Sequence, residues 1–131
     1  LGSSVWLNQE LLAGSSRYVQ GAAIPVAFSE LSQRPENQRF ISDFQKSFSH
    51  QPDQFAAYGY DAGLAVLKAL GQGSSGNRDA VRRALSQGGP VPGVTGPFAF
   101  DHNGEYVVEP TLLSVKGREF ILLREATQGV K

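Results

Sequence analysis

Phe40, Phe44 and Phe48 recur every fourth residue, with Ile41 alongside. A helix turns once in about 3.6 residues, so this spacing lays three rings along one face. The pattern predicts a helix over about Glu36 to Ser49 whose aromatic face is core. Its start is marked as well. Pro35 has the φ of a first helical residue and no N–H to lose, and Glu36 sits where the helix dipole favours an acid.

The neighbouring segments follow from caps and breakers. Asp53 is a good N-cap for a second helix, Phe55 to Leu70, which Gly71 ends. That helix is rich in small residues, among them Gly59, Ala62, Gly63, Ala65 and Ala69. Glycines lower helix propensity, and what small residues offer in return is close approach of another element or of a ligand. Gly71 to Gly76 reads as a flexible loop. Asn77 then caps a third helix to about Ser86, with Val81, Ala84 and Leu85 facing inward. Upstream, Leu1 to Leu7 reads as a strand end, and Asn8 caps a short helical segment closed by Gly14. Val19 to Phe28 reads as a strand with Pro25 near its end or at an edge. Downstream, Gly88 to Gly93 is irregular and Phe98 to Phe100 is a short strand. Asp101 to Gly104 is a turn, Val107 and Val108 are strand, and Thr111 to Val115 pairs with Glu119 to Leu123 around Lys116-Gly117. The last residues read as a frayed tail. The order is β-α-β, three helices, then a β-rich end, which is α/β.

Few chemistries are open to such a chain. It has no cysteine, which removes disulfides, thiolate catalysis and cysteine-ligated zinc. It has no methionine, so it is expected to be a processed or cut piece of a longer product. Twelve basic residues balance twelve acidic ones, which gives no electrostatic case for nucleic acid or an anionic membrane. The longest apolar stretches fall far short of the ~20 residues of a membrane helix. His50 and His102 both lie in predicted loops, with no spacing that suggests a triad or a metal site. Asp101 to Glu105 begins like a calcium loop, but the later ligands are not at the required offsets, so a plain hairpin turn is expected. The Gly73 to Gly76 run lacks the Gly-Lys-Ser/Thr ending of a phosphate loop. Tyr60-Asp61, set among small residues inside a helix, can hold a local hydrogen-bond network or simply pack one helix on another. No enzyme is expected, and no cofactor or metal.

The residues resemble a known family. Phe40-x-x-x-Phe44-x-x-x-Phe48, then Gln51-Pro52-Asp53, then the run from Phe55 through Tyr58, Tyr60 and Asp61 to Ala62, is similar to a central signature of type I periplasmic binding proteins. These include the leucine/isoleucine/valine-binding receptors. Gly93 to Asp101 with Asn103-Gly104 resembles the family's glycine-aromatic-aspartate-glycine segment. Gln20-Gly21 and Val115 to Phe120 match in position. The resemblance covers nearly the whole chain.

It implies a two-lobed clamshell of three-layer α/β/α lobes joined by three crossings. Residues 1–27 would be part of the second lobe, 28–110 part of the first, and 111–131 a return crossing with second-lobe strands. The implied function is the extracytoplasmic substrate-binding component of an ABC transporter for amino acids or related small polar solutes. The alternative is a non-transport relative, either a ligand sensor or a lipoprotein that activates cell-wall synthases. Implied partners are the small-molecule ligand, the membrane permease and the missing N-terminal portion of the same protein, with no nucleic acid. The implied location is periplasmic or extracellular, with any lipid anchor on the missing N-terminus. In the family an aromatic from the helix after Pro52 lines the cleft, which nominates Phe55 and Tyr58. An acid from the second lobe grips the ligand ammonium, and its position falls at Ser3 or Ser4. Neither is acidic. The site is therefore expected to receive no fixed negative charge from this chain, and to suit a neutral or anionic solute, or an amino acid held by a residue elsewhere.

Overall fold

The computed structural model of the chain describes residues 1–7, 10–71 and 77–124. The expected Asn8 cap, residues 72–76 of the glycine-rich loop and the C-terminal tail lie outside them. Strand β1 (Ala23–Val26) is followed by helices α1 (Pro35–Phe48), α2 (Gln54–Gly71) and α3 (Arg78–Gln87). Five strands come next: β2 (Val91–Pro92), β3 (Pro97–Phe100), β4 (Tyr106–Val108), β5 (Thr111–Lys116) and β6 (Glu119–Arg124).

The helix starts follow their chemistry. Pro35 is the first residue of α1. The Ala56 N–H donates to Asp53 Oδ1 at 2.8 Å ahead of α2, and the Asp79 N–H donates to Asn77 Oδ1 at 2.9 Å ahead of α3. Each bond satisfies a donor that the first helical turn leaves free. Helix α1 stops at Ser49, which takes the left-handed conformation and returns its N–H to Gln45 O at 2.8 Å.

The strands form two antiparallel sheets, β1-β5-β6 and β2-β3-β4. The first joins the two ends of the chain: Ile24 pairs with Leu113 and Val26 with Thr111. Pro25 lies on its edge strand, where a missing N–H costs no internal ladder bond. Strand β1 is shorter than the sequence suggests. Gly21 turns the chain at φ 72, and its N–H already donates to Val115 O at 2.9 Å, so pairing begins only at Ala23. The Leu1–Leu7 region is not a strand end. A 3-10 turn forms at Ser4–Trp6, and the Gly2 N–H donates to Ala23 O of β1 at 2.8 Å. The β5–β6 connection is a two-residue Gly117-Arg118 turn with Gly117 at φ 64. The Gln20 side-chain amide clasps it, its Nε2 donating to Gly117 O and its Oε1 accepting the Gly117 N–H, each at 2.8 Å.

Among the described residues three apolar clusters result. Leu12, Ile24, Val26, Leu113 and Val115 lie on the first sheet under Trp6 and Phe120. Phe28, Phe40, Ala57 and Val94 join α1 to α2. Ala65, Val91 and Phe98 join α2 to the second sheet, with Leu85 of α3 at the margin. Each fully buried large side chain contributes roughly 1.5–3 kcal/mol. The aromatic stripe of α1 is only partly core. Phe40 is 5% exposed, Phe44 is half-buried, and Phe48 is 59% exposed and meets Phe44 at 4.5 Å. The stripe runs out past the end of α2's cover, so its last ring lies on the surface. On α3, Val81, Ala84 and Leu85 face inward as expected but are only half-buried.

Candidate functional site

An open cleft of about 850 Å³ separates the β1-β5-β6 sheet from the start of α2. Several segments bring side chains to it, Leu12 among them. The Ser4–Trp6 turn contributes Ser4, and the chain leaving β1 contributes Phe28, Ser29, Glu30 and Leu31. The start of α2 contributes Pro52, Asp53 and Phe55, and the β5–β6 hairpin contributes Arg118, Glu119 and Phe120. Local bonds set their positions. The Leu31 N–H donates to Ser29 Oγ at 3.1 Å, which bends the segment after β1. Asp53 is held at the head of α2 by its capping bond, and the Gln20 clasp fixes the turn that carries Arg118.

Of the residues singled out from sequence, Ser4 and Phe55 line this cleft together. Phe55 is 71% exposed, so its ring is free to meet a ligand. Ser3 and Tyr58 are not in the lining. Ser3 precedes the 3-10 turn and accepts the Trp6 N–H at 2.9 Å, while Tyr58 lies exposed one turn further along α2. The expected lack of negative charge does not hold. Glu30, Asp53 and Glu119 all line the cleft, opposed by Arg118. Glu30 lies in the segment after β1 and Glu119 in the C-terminal hairpin, both far from Phe55 in sequence, and no local pattern marks them as its neighbours. Asp53 was recognisable, but only as a cap.

Tyr60 and Asp61 divide the two expected roles: the Tyr60 ring packs on Phe40 of α1 at 4.9 Å, and Asp61 holds a hydrogen-bond network. Asp61 is 2% exposed, and its carboxylate accepts the Val94 N–H at 2.7 Å, the Thr95 N–H at 3.1 Å and the Thr95 hydroxyl at 2.5 Å. The Thr95 hydroxyl proton is thereby used, so the Tyr106 hydroxyl donates to Thr95 Oγ1 at 2.7 Å. Arg34, just before α1, and Asn37 of α1 grip the same turn, donating to Gly93 O at 2.8 Å and Val94 O at 3.2 Å. The turn is thus tied to α1, α2 and β4 at once. A Cβ at Gly93 would come within 2.6 Å of Asp61 Oδ2 and of the Phe98 ring, so only glycine fits there. Burial pushes the Tyr106 phenol up from its ordinary value of 10.0, against the pull of its bond to Thr95. These groups are bound to one another and form a structural clasp rather than a reactive site.

The histidines are both exposed. His50 packs edge-on against Phe44 at 5.3 Å. His102 borders a smaller groove of about 510 Å³ between α3 and the β3–β4 turn, beside Arg78 and Arg82. Asp101 accepts the Asn103 and Glu105 N–H groups at 2.8 and 2.9 Å, which is the chemistry of a turn.

Residues 1–115 match the family model described as periplasmic binding protein. The chain belongs to that family. Among solved structures it is similar to a putative branched-chain amino acid ABC transporter from Rhodospirillum rubrum, with 28% identity and a TM-score of 0.81 over 93% of this chain and 36% of that one. It is also similar to an ABC transporter substrate-binding protein from Desulfitobacterium hafniense in complex with Leu, at 25% identity and a TM-score of 0.68, covering 82% of this chain and 32% of that one. A leucine-binding protein from Thermotoga maritima, at 20% identity and a TM-score of 0.66 over 92% of this chain and 35% of that one, shares the fold. The chain spans about a third of the length of these structures. No curated protein matches it in sequence. The fold class is that of a type I periplasmic binding protein. Among the described residues no helix is long and apolar enough to cross a membrane.

Proposed function

We propose that this chain is the C-terminal part of an ABC transporter's solute receptor, which works outside the cytoplasmic membrane and delivers an amino acid or related small polar solute to a permease. It binds without chemical turnover. The observation that carries this reading is the cleft: in a chain of this family, Ser4 and Phe55 line one opening from opposite sides. In this reading residues 1–27 and 111–131 belong to one lobe and 28–110 to the other. The support is that the β1-β5-β6 sheet draws on both ends of the chain and has its own apolar cluster, while the helices and the second sheet share the others.

Ser4 offers a hydroxyl to the solute and Phe55 a ring, while Ser3 and Tyr58 stand outside the lining. The lining also holds carboxylates for an ammonium, the Arg118 guanidinium for a carboxylate, and apolar surface from Leu31, Pro52 and Phe120. That set complements an apolar amino acid, and the Desulfitobacterium relative carries Leu. The experiment is native mass spectrometry of the full-length gene product against the protein amino acids and small carboxylates. One solute should be retained in a one-to-one complex. Retention of none, or an equal response to all, would refute the receptor reading.

A further inference from the structure

The groove between α3 and the β3–β4 turn shares no lining residue with the cleft. Its floor is apolar. Val81 and Leu85 of α3 and Phe100 of β3 are half-buried there, and Leu85 and Phe100 pack against the third apolar cluster without closing it over. Its rim is cationic. Arg78 and Arg82 stand one turn apart on α3, and His102 comes from the other wall with a ring N–H in either tautomer. All three are exposed. Little on this chain answers the two guanidinium charges. Among the described residues that line the groove none is acidic. Asp79 reaches Arg82 Nε only at 4.0 Å, with both side chains largely in water, and such a pair contributes little. Arg78 forms no ion pair among the described residues. Asp101, next to His102, turns its carboxylate to the Asn103 and Glu105 N–H groups.

We infer that this groove docks a short acidic segment of a protein partner, one that carries apolar side chains between its carboxylates. The floor takes the apolar groups, and Arg78 and Arg82 take the carboxylates in forked, charge-assisted pairs. Shape selects a segment over a small solute. Residues 78 to 86 of α3 run for about 12 Å, the reach of about four extended residues. The groove lies open along that length, whereas a small-molecule site encloses most of its ligand. Charge selects a protein over a membrane. The basic groups are confined to one concave groove, on a chain whose twelve basic residues are balanced by twelve acidic ones. An anionic bilayer is held by larger basic clusters.

Docking here does not depend on the receptor reading, and its test is separate from the cleft. The full-length gene product is titrated into a fluorescent peptide of two leucines flanked by glutamates, and anisotropy is read. Wild type should bind it. Arg78→Gln combined with Arg82→Gln should weaken binding at least about tenfold without moving the thermal midpoint, since both side chains are exposed. Two further peptides test wild type alone. Glutamines in place of the glutamates, or serines in place of the leucines, should each weaken binding to a similar degree. No binding to wild type would overturn the docking site, as would equal binding by the double variant. A peptide with serines that binds as well as the original would reduce the groove to a charge patch and overturn it too. So would displacement of the peptide by leucine, which would place the peptide in the cleft. Vesicles of phosphatidylcholine and phosphatidylglycerol that sediment wild type but not the double variant would assign the groove to lipid headgroups, and would equally overturn it.

Discussion

Asp61 is an acid buried inside a helix. Its carboxylate accepts two backbone N–H groups and one hydroxyl from Val94 and Thr95, so its burial is offset by a full set of partners. Asp61→Ala would leave those donors buried and unpaired, at a cost of about 1–3 kcal/mol for each group left unsatisfied. A urea midpoint unchanged by the substitution would show that the clasp does not hold the fold. Tyr106 gives a pH dependence with a definite sign. Its folded pKa is raised by burial above 10.0, so near that pH the native state binds more protons than the unfolded chain. The stabilisation is complete below the ordinary phenol value and is lost as pH rises through the folded one. Tyr106→Phe should therefore lose less stability than wild type between about pH 9 and pH 11, measured by denaturant midpoints. An identical alkaline loss in both would contradict the assignment.

At the scale of elements, caps and breakers were legible and extents were not. Pro35, Asp53 and Asn77 each mark a helix start because a cap acts on its own neighbours. The aromatic stripe of α1 shows what periodicity omits. It specifies which face is apolar, but not how far along that face another element lies. Phe40→Ala should cost about 3–5 kcal/mol, Phe44→Ala less, and Phe48→Ala no more than about 0.5 kcal/mol. Equal losses at Phe40 and Phe48 in chemical unfolding would show that the whole stripe is core. The 3-10 turn at Ser4–Trp6 and the acids at the cleft were illegible for a related reason. They depend on contacts between the two ends of the chain, and nothing local to Glu30 or Glu119 signals that the fold brings them near Phe55.

At the scale of the whole molecule, a chain about a third as long as the structures it matches already holds an opening lined from both sides. Its two ends meet in one sheet and its middle forms the helical body, so a ligand gripped in between would tie the two together. Binding to the folded state alone would also stabilise the full-length protein by mass action. The central claim is that Phe55 and the groups facing it hold a small solute. Calorimetric titration of the full-length gene product with leucine, isoleucine and valine, in wild type and Phe55→Ala, tests it most directly. The account predicts one binding event in wild type and an affinity at least about tenfold weaker in the variant, a change of about 1.4 kcal/mol. Tight binding that Phe55→Ala leaves untouched would place the solute elsewhere and contradict it.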